Sequence, residues 1–196
     1  MPLIRDEKIS ADARLCIWQI TESLDDLPRP ASADLSHLHS RSRLCEVTAV
    51  YALLAYMTGR NDLVIMHDDT GRPMVDGWHL SISHTKGWAA LIMSRTKAVG
   101  VDIEFFSDRV SRVADKFIRH DESRESVGVQ LVNWSAKETV YKFFNKEKLE
   151  YFEMRLKPFA LQPKGRVEVE DLKVPKSVWV TYELNADYAL TYTVEE

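Results

Sequence analysis

Apolar residues recur every three or four positions between residues 42 and 57, which is the spacing of one helical face. The positions that carry this pattern are Leu44, Val47, Tyr51 and Leu54. The pair Thr58-Gly59 follows and predicts the end of the helix. A similar stripe predicts a helix over residues 107–119, and we predict another over residues 121–145.

Short runs of branched and aromatic residues predict strands at residues 14–21, 62–67, 78–83, 88–94 and 98–104. From about residue 154 onward, short strands alternate with turns, which we predict at residues 163–165 and 185–187. The connections are short and favour antiparallel pairing of neighbouring strands. Helices grouped beside mainly antiparallel strands predict an α+β fold.

Composition narrows the class of function. The 196 residues, 45% of them hydrophobic and 29% charged, are typical of a soluble globular protein, as one domain or as two closely packed halves. A net charge of −4 argues against nucleic acid or an acidic membrane as a partner. The sequence contains no apolar run of about 18 residues, and MPLIRDEKIS lacks the core of a secretory signal. We therefore expect a cytoplasmic protein without a membrane partner.

Polar residues interrupt the apolar pattern at the end of one predicted strand. Ser83 and His84 stand between two sheet-like runs, and Arg72 lies shortly before them. Hydroxyl groups, backbone N–H groups and cations at one strand end suit an anion such as phosphate. The residues also fit a simpler interpretation, in which they form a turn and a surface hairpin with a hydrogen-bonding histidine.

Two acids share one face of a later strand. Asp102 and Glu104 are two residues apart, so they point to the same side, while Val101 and Ile103 point to the other. Two neighbouring carboxylates repel each other, and a divalent cation would relieve that repulsion. Carboxylates without histidine or cysteine favour Mg²⁺ over zinc. Alternatively, the strand end is exposed and each acid is solvated or paired with a cation.

A third cluster lies on the last predicted helix. Glu138 and Lys142 are four residues apart and therefore share a helical face. They form either an ordinary surface ion pair or, with the two strand acids, a site for a metal ion and a diphosphate. The three clusters together favour a diphosphate–Mg²⁺ site.

The segments TGRPMVDGWHLSISHTKGWAAL, VGVDIE and WSAKETVYK resemble, in order and separation, the three signature motifs of Sfp-type 4′-phosphopantetheinyl transferases. The resemblance covers residues 71–142. It implies the fold of that family, in which two similar α/β halves pack as a pseudo-dimer within one chain. For this chain it implies halves at residues 1–97 and 98–196, with the ligand in the cleft between them, and a monomer.

The resemblance also implies a reacting centre. Mg²⁺, or Mn²⁺ in its place, would be held against the coenzyme A diphosphate by Asp102, Glu104 and Glu138. Glu138 would accept a proton from the attacking serine, directly or through a metal-bound water. The expected catalytic residues are Asp102, Glu138, Lys142 and His84.

Coenzyme A would be the co-substrate. The expected contacts with it are Arg43, Arg72, Ser83, His84 and Lys142. Ser83 and His84 would bind its phosphate end, and Arg72 would take the position of the family's usual lysine near the adenine. Arg43 would contact the 3′-phosphate, although Arg41 fits the spacing equally well.

The implied reaction moves the phosphopantetheine arm of coenzyme A to a serine of an apo acyl or peptidyl carrier protein. Two other classes remain open for the same residues. One is a binding protein that holds coenzyme A or a nucleotide without chemistry. The other is a Mg²⁺-dependent phosphohydrolase, in which water replaces the serine.

Overall fold

The computed structural model describes residues 2–196 and divides into two compact units. The first unit extends to Val99 and includes Val194–Glu196, and the second unit is Gly100–Thr193. Each unit combines an antiparallel sheet with one long helix. The chain is therefore an α+β protein, which confirms the predicted class, whereas the pseudo-dimer stays a prediction.

The sheet of the first unit contains four strands in the order β1-β2-β6-β5. The strands of this unit are β1 (Leu3–Lys8), β2 (Arg14–Gln19), β3 (Met66–His67), β4 (Pro73–Met74), β5 (His79–Thr85) and β6 (Trp88–Ser94). Strands β3 and β4 pair as a separate small hairpin. The helix α1 (Arg41–Thr58) packs against β2, β5 and β6, and a 3₁₀ turn spans Leu24–Asp26.

Both ends of α1 are fixed by local chemistry. The Oγ of Ser40 accepts a hydrogen bond from the backbone N–H of Arg43 at 3.4 Å, which caps the first turn. Gly59 ends the helix with a φ of 69°, a left-handed conformation that glycine adopts without steric cost. The predicted helix over residues 42–57 is thus confirmed to within one residue at each end.

The sheet of the second unit has the order β7-β11-β10-β9-β8. Its strands are β7 (Val99–Phe105), β8 (Met154–Leu156), β9 (Lys164–Asp171), β10 (Lys176–Leu184) and β11 (Tyr188–Val194). The helix α2 (Val127–Phe143) packs against β9 and β10. Four 3₁₀ helices join these elements, at Asp108–Arg112, Ala114–Lys116, Asn145–Glu147 and Tyr151–Glu153.

A close approach between β7 and α2 positions the candidate site. A Cβ atom added to Gly100 would lie 2.7 Å from the carbonyl oxygen of Thr139 and 3.2 Å from the Cβ of Phe143. Only glycine leaves room for the helix at this distance from the strand. Val132, Ala136 and Val140, spaced four apart, form the buried stripe of α2 in the core of this unit.

Several predicted elements differ from the structure. The helix predicted over residues 107–119 is wrong, since two short 3₁₀ helices separated by Val113 occupy this segment. The helix predicted from residue 121 begins only at Val127, because Ser126 caps it by accepting from the N–H of Val129 at 3.2 Å. The turn predicted at residues 163–165 is wrong, because β9 begins at Lys164 and the chain reverses after Asp171. Strand β1 was not predicted.

Within residues 2–196, neither α1 nor α2 is both long and apolar enough to cross a lipid bilayer.

Candidate functional site

Asp102 is held between a strand and a helix of the second unit. It lies on β7 with a side chain that is almost fully buried. Its Oδ1 accepts a hydrogen bond from Nζ of Lys142 at 2.7 Å, and its Oδ2 accepts one from Oγ of Ser135 at 2.8 Å. Ser135 and Lys142 are seven residues apart on α2, so both project from one helical face. Lys142 on α2 thus forms an ion pair with Asp102 on β7.

Glu104 lies two residues further along β7 and is partly buried. Its Oε1 accepts a hydrogen bond from the indole N–H of Trp134 at 2.8 Å. Burial, together with repulsion from the carboxylate of Asp102, raises the pKa of Glu104 to about 7. The bond from Trp134 and the charge of Lys142 act in the opposite direction and do not offset these causes.

Glu138 is the third acid of this region. Its Oε1 accepts a hydrogen bond from the phenolic O–H of Tyr151 at 2.6 Å. Burial raises the pKa of Glu138, and the charge of Asp102 adds to the effect, whereas the bond from Tyr151 opposes it. A buried carboxyl with a raised pKa retains or accepts a proton more readily than an exposed one, which is the property of a general base or acid.

An aromatic group orients the two donors that reach these glutamates. The ring centroid of Trp134 lies 5.0 Å from that of Phe117, in an edge-on arrangement, and 5.1 Å from that of Tyr151. Packing of this kind restricts the rotation of each ring. The N–H directed at Glu104 and the O–H directed at Glu138 are therefore fixed by one packed group.

The acid cluster fits a divalent cation by its donor chemistry. Asp102, Glu104 and Glu138 are close enough that the charge of Asp102 raises the pKa of both glutamates, and hard carboxylate oxygens are the ligands that Mg²⁺ prefers. However, no three acidic, histidine or cysteine side chains within residues 2–196 are arranged as ligands of one ion. Each carboxylate is instead directed to its own donor on Lys142, Trp134 or Tyr151.

The first unit contains a second polar group, built by α1 and β5. Nη1 of Arg43 lies 2.9 Å from Nδ1 of His84. The same ring nitrogen lies 3.0 Å from Oε2 of Glu46, one helical turn after Arg43. The structure thus brings together Arg43 and His84, two residues that the resemblance assigns to phosphate binding.

Ser83 and Arg72 have different surroundings. Ser83 precedes His84 on β5, and alternation along a strand directs the two side chains to opposite faces of the sheet. Arg72 lies in the turn before β4, and its backbone N–H donates to Oδ1 of Asp68 at 3.0 Å. Arg72 lines a cavity of about 610 Å³ together with Trp78 and other residues of this turn. The roles expected for Ser83 and Arg72 stay predictions.

Sequence reasoning missed the partners that orient these acids. Ser135 was detectable, since it precedes Lys142 by two helical turns. Glu46 had a weaker signal, its spacing of three from Arg43 on a predicted helix. Tyr151 gave no signal, because its contact with Glu138 depends on the path of the chain after α2.

The comparison with curated proteins gave no match. Comparison with protein families gave a match over part of the chain. The matched segment leaves out most of the first unit and includes the candidate site residues Asp102, Glu104, Glu138 and Lys142. Residues 98–193 of the chain match the family model described as the 4′-phosphopantetheinyl transferase superfamily.

Proposed function

We propose that the protein transfers the 4′-phosphopantetheine arm of coenzyme A to a serine of an apo acyl or peptidyl carrier protein and releases 3′,5′-ADP. The observation that carries the proposal is the acid cluster of buried Asp102 and partly buried Glu104 and Glu138 beside Lys142, inside the segment that matches the transferase superfamily. A protein that only binds a nucleotide has little use for three carboxylates beside a diphosphate.

Asp102, Glu104 and Glu138 are the residues that would hold Mg²⁺ or Mn²⁺. Their carboxylates would have to turn toward one another from their present donors, since they are not arranged as common ligands. When bound, the ion supplies positive charge that offsets the negative charge of the diphosphate. The repulsion that raises the pKa of Glu104 supports this assignment, because a cation would relieve it.

Glu138 is the proposed general base. The serine hydroxyl of the carrier attacks the β-phosphorus of coenzyme A, and the bond to the bridging oxygen of the diphosphate breaks. The leaving 3′,5′-ADP takes the electron pair of that bond, while Glu138 accepts the serine proton directly or through water. Its raised pKa suits this role.

Lys142 and the residues of the first unit would bind the ligand. Nζ of Lys142 already donates to Oδ1 of Asp102 and to the carbonyl oxygen of Val101, and its third N–H would donate to a phosphate oxygen. Arg43 and His84 are the proposed contacts of the terminal phosphate, and Ser83, which precedes His84 in the sequence, is a further proposed contact. Arg72 is the proposed contact near the adenine.

One incubation tests the proposal. The protein is mixed with coenzyme A, Mg²⁺ and an apo carrier protein, and the carrier is analysed by intact mass. Gain of one phosphopantetheine group by the carrier supports the transferase. Release of free phosphopantetheine with an unmodified carrier indicates the phosphohydrolase. If neither product forms with acyl and peptidyl carriers, the transferase proposal is overturned in favour of a binding protein.

A further inference from the structure

A negative side chain lies where we propose that a phosphate binds. Oε2 of Glu46 is 3.0 Å from Nδ1 of His84 and 3.6 Å from Nη1 of Arg43. The Glu46 side chain is 14% exposed, and its Oε1 accepts a hydrogen bond from Oγ of Ser42 at 3.2 Å. A carboxylate repels a phosphate, so it would lower affinity unless it orders the cations around it. A carboxylate is therefore expected beside Arg43 and His84 only if it contributes to phosphate binding in another way.

The two neighbours of Nδ1 of His84 differ in hydrogen-bonding character. Nη1 of Arg43 is only a donor, whereas Oε2 of Glu46 is only an acceptor. With a hydrogen on Nδ1, the ring donates to Glu46. Without that hydrogen, Nδ1 accepts from Arg43. In either case Nδ1 lies between two side chains that can hydrogen-bond to it, which limits the orientation of the ring.

Glu46 is the more restrained of the two neighbours. Its side chain is 14% exposed and is held by Oγ of Ser42, whereas the side chain of Arg43 is 52% exposed. The contact of Oε2 with Nδ1 therefore restricts rotation of the imidazole ring more than the contact with Arg43 does.

We propose that Glu46 is a positioning residue, which through its contact with Nδ1 holds the imidazole ring of His84 in the orientation that meets the terminal phosphate monoester of coenzyme A. The inference rests on the proposed function, since it takes His84 and Arg43 as phosphate contacts. A ring that is already held in its binding orientation loses less rotational freedom when the ligand binds. Glu46 thus increases affinity for an anion although it is itself negative.

Calorimetric titration of the whole protein with coenzyme A and with dephospho-coenzyme A, which lacks the 3′-phosphate, tests the inference. We expect Glu46→Ala to weaken coenzyme A binding about tenfold and to change dephospho-coenzyme A binding little. Glu46→Gln should lose less, because its amide can still form a hydrogen bond with Nδ1. In a His84→Ala background, Glu46→Ala should cause no further loss.

The matched control is Asp62→Ala, which removes the same charge from an exposed pair with Arg60 in the same unit. It should leave both affinities unchanged, and thermal melting should show that every variant is folded. Equal or tighter coenzyme A binding by Glu46→Ala and Glu46→Gln would overturn the inference, since Glu46 would then act only by repulsion. Absence of coenzyme A binding by the unmodified protein would instead overturn the proposed function.

Discussion

Nζ of Lys142 lies 2.7 Å from Oδ1 of Asp102, which is only 3% exposed. The lysine that we expect to contact a phosphate is thus the counter-ion of a carboxylate that we expect to contact a cation. Substitution of Lys142 would leave a buried charge with one hydrogen bond fewer as well as remove a ligand contact. Loss of activity in such a variant would not separate binding from stability, so Glu138 is the better first probe.

Glu138→Gln should abolish transfer to the carrier while coenzyme A binding stays measurable. The amide keeps an oxygen for the bond from Tyr151 but cannot accept the serine proton. A loss of at least about 100-fold in turnover is expected from the usual contribution of a general base. The assay is carrier modification by mass, with affinity measured by calorimetry. Glu125→Gln, an exposed substitution in the same unit, is the control. Turnover near that of the unmodified protein would exclude Glu138 as the base.

The contribution of Glu104 to stability in a chelating buffer should fall as pH rises from about 4.5 to about 7. The folded-state pKa of Glu104 is raised to about 7, so the unfolded chain loses this proton at lower pH than the folded protein. The loss is complete above about pH 7, where both states are ionised. Glu104→Gln should remove this cost and stabilise the protein by about 1–3 kcal/mol at pH 8.

Urea denaturation at several pH values measures the effect. The difference between Glu104→Gln and the unmodified protein should be small near pH 4 and should grow toward pH 8. Added Mg²⁺ should stabilise the unmodified protein at pH 8 more than the variant, because a bound cation relieves the repulsion among the acids. A difference that is constant with pH would contradict the assigned environment of Glu104.

Gly100→Ala should destabilise the protein and reduce transfer together. The new Cβ would lie 2.7 Å from the carbonyl oxygen of Thr139, a backbone atom that cannot rotate away. The helix would have to move from β7, at a cost of about 1–3 kcal/mol. That movement would also lengthen the contacts of Asp102 with Ser135 and Lys142. Denaturation together with the carrier assay checks both effects, and an unchanged midpoint would show that the strand and helix are less tightly packed than described.

Lys137→Met should be strongly destabilising. Lys137 is fully buried, and its Nζ lies 2.7 Å from Oε2 of Glu122 and 2.7 Å from the carbonyl oxygen of Phe117. Removal of the lysine leaves the Glu122 carboxylate buried without its counter-ion, which costs about 3–5 kcal/mol. Urea denaturation should show this loss. The double variant Lys137→Met/Glu122→Gln should recover part of it, and no recovery would mean that the hydrogen bonds of the pair matter more than its charge.

The sequence alone was sufficient to predict elements that depend on local signals, such as apolar spacing and helix-ending residues. The helix α1 was predictable because its apolar stripe and its terminal Gly59 agree, and the structure adds a capping serine at Ser40. The segment at residues 107–119 carries an apolar stripe as well, but Val113 has a φ of −121°, outside the helical range, and the segment forms short 3₁₀ turns. An apolar stripe shows which side is buried without showing that the hydrogen bonds of a long helix persist.

The candidate site was predictable in its residue types and less so in its contacts. The alternation along β7 predicted that Asp102 and Glu104 share a face. The contacts that fix them join residues about 30 positions apart, such as Trp134 with Glu104, and depend on how α2 crosses the strand. Spacing left a surface ion pair between Glu138 and Lys142 as one alternative, whereas the structure gives each a different hydrogen-bond partner.

The buried contact between Lys137 and Glu122 restricts how this sequence can diverge. Glu122 also accepts hydrogen bonds from the backbone N–H groups of Arg119 and Leu156, so one carboxylate joins α2 to a loop and to β8. A sequence in which only one of these two residues has been replaced is expected to be unstable. We therefore expect the two positions, 15 residues apart, to covary in related chains, with replacement of one accompanied by replacement of the other.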